Sequence, residues 1–218
     1  RSVKAGNGRV EIALTDGGTL SAAQVNDLSV AGTANCYVVS APGTYVFNAR
    51  VRGNGAGEGV GFEPAIEMAD GMTADWLWTD SEGLVSGVAL DTTSGDIFLT
   101  VGEGRGNALV ALMQDGKVVW SWHVWVTDAP QTMTYGNGTV FMDRNLGAVG
   151  TTAGGTDAYG MYYQWGRKDP FYGGEKTETS ANAFLEAKNG TVVNPAYPAL
   201  DWAFSKSATT TDGAAANP

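Results

Sequence analysis

The stretch ALVALMQDGKVVWSWHVWVT, residues 108–127, decides how the chain is read. Two apolar runs meet at Asp115-Gly116, a dipeptide that supplies the positive φ angles of a type I′ turn. The reading is therefore a hairpin of 108–114 with 117–127. A two-residue loop pairs Gln114 with Lys117 and sets Ala111 opposite Trp120 and Leu109 opposite Trp122. Strand alternation places Trp120, Trp122, Val124 and Val126 on one face, and Val119, Ser121, His123 and Trp125 on the other. Both faces are largely apolar, so a central strand is expected.

Outward from this hairpin, strand-like runs recur at about ten-residue spacing, the rhythm of a sandwich or barrel. They are 9–14, 35–41, 44–52, 74–79, 84–90 and 97–101. Turn chemistry separates them at Asp16-Gly17-Gly18, Pro42-Gly43 and Ser94-Gly95-Asp96. Pro42-Gly43 suits a type II turn, a poorer match to strand twist, and gives a weaker hairpin signal. The alternating glycines Gly53, Gly55, Gly57, Gly59 and Gly61 are expected to form a mobile loop.

After Thr127 the rhythm stops, and Asp128-Ala129-Pro130 reads as a domain boundary. The expected organisation is a β-sandwich domain over 1–128 and a second domain over 129–218. In the second, 139–143 and 160–165 are candidate strands. Ser180 can N-cap a short helix through Lys188, stopped by Asn189-Gly190. The Thr- and Ala-rich tail from Ser205 reads as loop.

Composition narrows the function classes. Asp plus Glu is 23 against 13 Lys plus Arg, a net charge of −10. Such a chain repels phosphate backbones, so no nucleic-acid partner is expected. Gly is 31 of 218 residues and only 17% are charged, a balance that suits short strands and tight turns in exported β-rich proteins. A single cysteine, Cys36, rules out an intrachain disulfide and a cysteine metal cluster. No apolar run reaches the roughly 18 residues of a membrane helix. No charged-then-apolar leader stands at Arg1, so export implies a signal segment outside this sequence.

Few residues in the chain carry the pattern of a chemical site. His123 is the lone histidine. Ser121 shares its strand face but lies about 7 Å away, too far for a direct dyad, so His123 is read as a packed strand histidine. With one His and one Cys, no zinc site and no other cofactor is expected. The loop 102–106 and the glycines of 53–61 lack the spacings of phosphate-binding loops. Asp75, Asp80 and Glu82 flank Trp76 and Trp78, an arrangement that fits a glycosidase cleft only if two carboxylates converge across it. Trp76 and Trp78 are read as sharing one strand face, like Trp120 and Trp122. Each pair is either core or an exposed platform for sugar rings. Cys36, in a run rich in Val and Tyr, is read as an inert buried thiol.

Four stretches occur in a fixed order: Ala34-Asn35-Cys36-Tyr37-Val38-Val39-Ser40-Ala41-Pro42-Gly43-Thr44-Tyr45, Trp120-Ser121-Trp122-His123-Val124-Trp125-Val126-Thr127-Asp128, Phe141-Met142-Asp143-Arg144-Asn145-Leu146-Gly147-Ala148, and GMYYQWGRKDPF at 160–171. That order resembles the fimbrillin-like surface proteins of Bacteroides-type anaerobes, including fimbrial tip subunits, and it covers about 34–175. The second half is similar to the start of a FISUMP-type, C-type-lectin-like domain.

The resemblance implies a mainly β chain, an N-terminal Ig-like β-sandwich followed by a partial lectin-like α+β domain. It further implies an extracellular or outer-membrane setting and a role in adhesion or ligand binding, with no enzyme activity. Such domains continue into a later Cys-Pro-x-Gly-(Trp/Tyr)-Arg-x-Pro segment. That segment is absent here, so 129–218 is expected to be a fragment. Glu63-Pro64-Ala65 is not the Glu-Pro-Asn of calcium-dependent lectins, no Trp-Asn-Asp occurs, and calcium-dependent sugar binding is not implied. Formylglycine-generating chemistry, known on a related fold, needs cysteines that this half lacks.

The run at 160–171 has two readings. In one, Tyr162, Tyr163 and Trp165 begin a lectin-like core, while Arg144, Asn145 and Arg167 tie its loops together. In the other, Trp165, Arg167, Tyr163 and Arg144 form a surface site for a glycan or peptide. Three functions follow: a binding or adhesion protein meeting glycans or surface proteins, peripheral to the outer membrane; a structural pilus or lipoprotein subunit whose partners are other subunits, joined by strand addition; and a glycan-degrading enzyme.

Overall fold

The structure, a computed structural model, describes residues 25–52, 65–163 and 169–170, with the backbone of 5–6, 9–10 and 186–187. Thirteen strands follow in order: β1 (Ala5–Gly6), β2 (Arg9–Val10), β3 (Val25–Asp27), β4 (Cys36–Val39), β5 (Gly43–Asn48), β6 (Met72–Thr79), β7 (Val85–Asp91), β8 (Asp96–Val101), β9 (Gly106–Gln114), β10 (Lys117–Val126), β11 (Thr132–Thr134), β12 (Val140–Met142) and β13 (Glu186–Ala187). The protein is mainly β. Among the described residues there is no α-helix, only a 3₁₀ turn at Thr156–Ala158.

Two sheets carry the architecture, with strand orders β13-β6-β9-β10-β4 and β3-β5-β8-β7. Their facing sides meet in one core of Val39, Phe47, Leu84, Ile97, Leu99, Val110, Leu112 and Trp122. Phe47 of the second sheet packs between Tyr37 and Trp122 of the first in tilted ring contacts, with both centroid separations 5.1 Å. Such contacts fix the spacing of the sheets and exclude water from the apolar layer.

The 108–127 hairpin forms around Asp115 (φ 52°) and Gly116 (φ 74°), the left-handed pair a type I′ turn requires. Gln114 pairs with Lys117 as expected, but a bulge between Val118 and Trp120 shifts the ladder by one. Trp120 therefore lies opposite Leu112 and Trp122 opposite Val110, not Ala111 and Leu109. An extra residue on one strand changes every later partner while leaving that strand's own alternation intact beyond it. Trp120, Trp122, Val124 and Val126 indeed all enter the inter-sheet core.

A second bulge, between Trp76 and Trp78, overturns the shared face expected for those two rings. Trp76 packs against the inter-sheet core, whereas Leu77 and Trp78 join Leu109 and Ala111 on the opposite side of the first sheet. One inserted residue is enough to flip a strand's side chains.

Pro42-Gly43 does not close a hairpin. β4 pairs in parallel with β10 in the first sheet, while β5 pairs with β3 and β8 in the second. The turn carries the chain across the stack, and Tyr45 Oη donates to Ala41 O at 2.6 Å to hold the corner. The helix expected over 180–188 also gives way where the chain is described. Glu186 and Ala187 pair antiparallel with Thr79 and Trp78, using the outer backbone groups of β6 that otherwise need partners. The rest of that segment, the 53–61 loop, most of the 9–14 strand and the tail from Ser205 lie outside the described residues.

β10 ends at Val126, next to the boundary expected at Asp128. The β11–β12 ribbon then projects with Met133, Val140 and Phe141 exposed. Beyond it the chain returns to the first sheet. Trp125 Nε1 donates to Ala148 O at 2.9 Å, Asn107 Nδ2 to Gly147 O at 3.0 Å, and Met161 packs on the Leu77–Trp78 cluster. This returning segment covers the polar residues of β9 and β10 and positions the site.

Candidate functional site

The outer face of the first sheet buries polar groups that must find partners. Ser121, His123, Asn107 and Asp80 are all buried there. Asp80 Oδ1 accepts from Asn107 N at 2.5 Å, and Asp80 Oδ2 accepts from Asn107 Nδ2 at 2.9 Å. The same Nδ2 donates to Gly147 O. With two acceptors facing Nδ2, the amide can turn only one way, so Oδ1 faces His123 Nε2 at 2.9 Å and accepts its proton. His123 Nδ1 then carries the lone pair, and Cys36 Sγ, 3.2 Å away, donates to it. Beside this chain, Ser121 Oγ donates to Asp169 Oδ2 at 2.5 Å.

A thiol, a ring nitrogen and an orienting amide share the connectivity of a nucleophilic thiol site. The electrostatics oppose that use. Burial lowers His123 to about 3, and burial together with the Asp169 charge raises the Cys36 thiol to about 12. Cys36 keeps exposed surface as an edge-strand residue, while its sulfur is turned onto the sheet. Both groups are held neutral, so the unit serves as a buried hydrogen-bond chain joining β4, β9, β10 and the covering segment. The direct Ser121–His123 dyad is absent, as their spacing implied; Ser121 instead meets Asp169.

Arg144 builds the joint at the end of β10. Its Nε donates to Asp143 Oδ1 (2.8 Å); Nη1 to Thr127 Oγ1 (2.9 Å) and Asp128 Oδ1 (3.1 Å); Nη2 to Asp128 Oδ2 (3.0 Å) and Asp143 Oδ2 (3.0 Å). All five guanidinium N–H groups are committed. The side chain is 2% exposed. Hydrogen bonding to Arg144 holds the Asp128 carboxyl down at about 2 and lowers Asp143 as well. Arg105 also meets Asp128 at 2.7 Å and donates to Val149 O at 2.9 Å.

Next to this joint lies a groove of about 620 Å³ whose described lining is Asn145, Leu146, Tyr159, Gly160, Met161, Tyr162 and Tyr163. Its shape depends on close backbone approach. Gly147 adopts φ +84°, and a Cβ there would run into the Met161 side chain. A Cβ on Gly160 would run into Leu146 O. Met161 N donates to Leu146 O at 2.9 Å, and Asn145 Nδ2 to Ala158 O at 3.0 Å, which ties the two walls together. Tyr159, Tyr162 and Tyr163 stand 39%, 49% and 44% exposed. Burial raises the Tyr163 phenol, as do the charges of Cys36 and Asp169.

Of the residues singled out in the sequence, Tyr163 lines the groove and Arg144 lies in the adjoining joint, with its donors spent on carboxylates and a hydroxyl instead of loop carbonyls. Trp165 and Arg167 lie outside the described residues. Trp78, Trp120 and Trp122 are buried, and Trp76 is partly buried against the core, so the sugar-platform reading fails for the first three. Asp80 is 3% exposed and bound to Asn107, and Asp75 Oδ1 accepts from Trp76 N at 2.8 Å. Sequence reasoning missed Asn107, Asp169 and Tyr159, and it singled out Asp80 only as a cleft carboxylate, whereas the structure binds it to Asn107. The one available signal was Ser121 and His123, polar residues in a strand otherwise apolar on both faces.

These features define a mainly β protein of two stacked sheets, whose polar outer face is covered by a segment bearing a tyrosine groove. No family model matches the chain, and no curated protein is similar to it.

Proposed function

We propose that this is a non-enzymatic, exported surface protein for adhesion or ligand binding. In this reading the two stacked sheets are an Ig-like sandwich, and the segment beyond Asp128 begins a partial lectin-like domain of the fimbrillin-associated kind. The observation that carries the reading is the open groove with three half-exposed tyrosines. Aromatic rings held at the surface by a rigid backbone offer large contact area at small entropic cost. The volume also falls within the usual range for ligand sites. Single contacts of this kind are weak, so adhesion would draw on many copies acting together.

The test is binding of the labelled protein to extracted cell-surface glycans and purified surface proteins. Retention that Tyr162→Ala removes supports the reading. Equal retention by both forms, or none, contradicts it.

A structural pilus or lipoprotein subunit is the second reading, favoured by the β11–β12 ribbon. Met133, Tyr135, Val140 and Phe141 are exposed there, and Tyr135 and Phe141 pack edge to face at 5.4 Å. Under that reading the purified protein polymerises, and Phe141→Asp stops it. A glycan-degrading enzyme is the third, and hydrolysis of a polysaccharide panel abolished by Asp75→Asn would establish it.

A further inference from the structure

We propose that His123 is an acid-sensitive latch. When its ring takes up a proton, the segment 145–163 leaves the outer face of the first sheet and takes the tyrosine groove with it, while the two stacked sheets stay folded. The inference holds whatever the groove binds.

The latch rests on where the ring lies and what faces it. His123 is buried on the outer face of β10. Its Nε2 donates to Asn107 Oδ1 at 2.9 Å, and its Nδ1 accepts from Cys36 Sγ at 3.2 Å. Both partners are neutral, and the thiol offers its one hydrogen to the ring. A proton added at Nδ1 would meet that hydrogen, so imidazolium fits only if the thiol turns away and a charge stays out of water. The described titratable groups around the ring are Cys36 on β4, Asp80 just beyond β6, and Tyr163 and Asp169 on the covering side. Asp80 is bound to Asn107 and Asp169 to Ser121. Burial decides the direction for the ring and lowers it to about 3.

The ring lies at the weaker of two interfaces. On the other side of β10 the inter-sheet core packs Phe47, Ile97, Leu99, Val110, Leu112 and Trp122. The covering segment rests on a smaller cluster, in which Met161 meets Leu77, Trp78, Leu109 and Ala111. It is also held by side-chain donors of the sheet that reach three successive carbonyls. Asn107 Nδ2 donates to Gly147 O, Trp125 Nε1 to Ala148 O and Arg105 Nη1 to Val149 O. Bonds of that kind exchange for water at small net cost, whereas parting the sheets would expose the whole apolar layer. Asn107 couples latch to cover, because the amide that accepts from His123 also donates to Gly147 O.

Once the segment lifts, the ring meets water and returns toward 6.5. Between about 3 and 6.5 the open form therefore holds one proton more than the closed form, and acid drives opening. The Arg144 joint survives in that window, since Asp128 is held down at about 2. It is the hinge on which the segment turns.

The test follows hydrogen exchange in the whole chain from pH 7 to 4, corrected for the intrinsic pH dependence of exchange. Trp125 Nε1–H and Met161 N–H report the covering segment. The backbone amides of Val110, Ala111 and Leu112 report the sheets, because β9 is paired on both sides. The covering reporters should be at least roughly tenfold less protected than β9. Their protection should fall roughly tenfold per pH unit between 6 and 4. His123→Gln, which cannot titrate, should remove that fall. Equal protection at the two places would mean that cover and sheets open only together, and it would overturn the proposal. A fall that survives His123→Gln would assign it to Asp80 or Asp169 and overturn the latch. The wild type gives a second reading, since His123 is the lone histidine and its Cε1–H signal is unambiguous by NMR. That signal should reach its protonated position only where Trp125 Nε1–H has lost its protection. A protonated ring beneath a protected Trp125 Nε1–H would contradict the proposal.

Discussion

Cys36 Sγ lies 3.2 Å from His123 Nδ1, brought there because β4 runs parallel to β10 with the two residues as direct ladder partners. The relationship fixes the direction of the hydrogen bond as well as its distance, since Asn107 takes the proton on the other ring nitrogen. A thiol raised to about 12 by burial, and by Asp169, is a poor nucleophile at neutral pH. Alkylation of native Cys36 by iodoacetamide near pH 8 should run more than about tenfold slower than in the urea-unfolded chain. Equal rates would mean that the sulfur is free in solution.

The same pair sets an acid limit on stability. The imidazole titrates near 6.5 when unfolded and near 3 when folded. Between those values the unfolded chain holds a proton that the folded chain does not, so stability falls as pH drops through that window, on the order of 5 kcal/mol across it. His123→Gln should flatten the slope of urea stability between pH 6.5 and 4. The Asp128 carboxyl contributes separately: its folded value is depressed to about 2, so its share is present above 3.8 and is lost only below it. Two distinct acid limbs are therefore expected, the first removed by His123→Gln.

Two buried tryptophans on opposite faces of β10 should respond differently to the same substitution. Trp125 Nε1 donates to Ala148 O, while Trp122 Nε1 is buried with no partner among the described residues. Trp125→Phe removes a bond that holds the covering segment and leaves a buried carbonyl unsatisfied. Trp122→Phe removes a donor that was already unmet. Denaturant titration should show Trp125→Phe the more destabilising by about 1–3 kcal/mol.

Arg144→Lys keeps the charge and loses the fork that reaches Asp128, Asp143 and Thr127 together. The thermal midpoint should fall by about 2–8 °C, and Asp128 should titrate at higher pH when followed by NMR. An unchanged Asp128 would show that Arg105 alone sets its ionisation.

What the sequence disclosed was local, and what it concealed was long-range. Asp115-Gly116 announced its hairpin because the turn's φ requirement is written in two adjacent residues. The inter-sheet face of β10 was legible from alternation alone. The bulges at Val119 and Leu77 left no mark in the residue pattern, yet they moved the partners of Trp120 and Trp122 and sent Trp78 to the other side of its sheet. The parallel pairing of β4 with β10 joins Cys36 to His123 across 87 positions, a distance over which no periodicity speaks. The 180–188 segment reads as a capped helix by local propensity, whereas Glu186 and Ala187 follow the available edge of β6. Of the groove, Tyr162 and Tyr163 stood out as a cluster, but Tyr159 and Asn145 join them only through the turn at Gly147.

Amide hydrogen exchange across 143–163 in the whole chain is the most direct test, because the groove exists only if this segment is held on the sheet. Protection approaching that of β10 is expected at Ala148, Gly150 and Met161, whose amides donate to Asn145 O, Asp157 O and Leu146 O. Exchange at random-coil rates at those three amides would contradict it, since no preformed groove would then remain to bind anything.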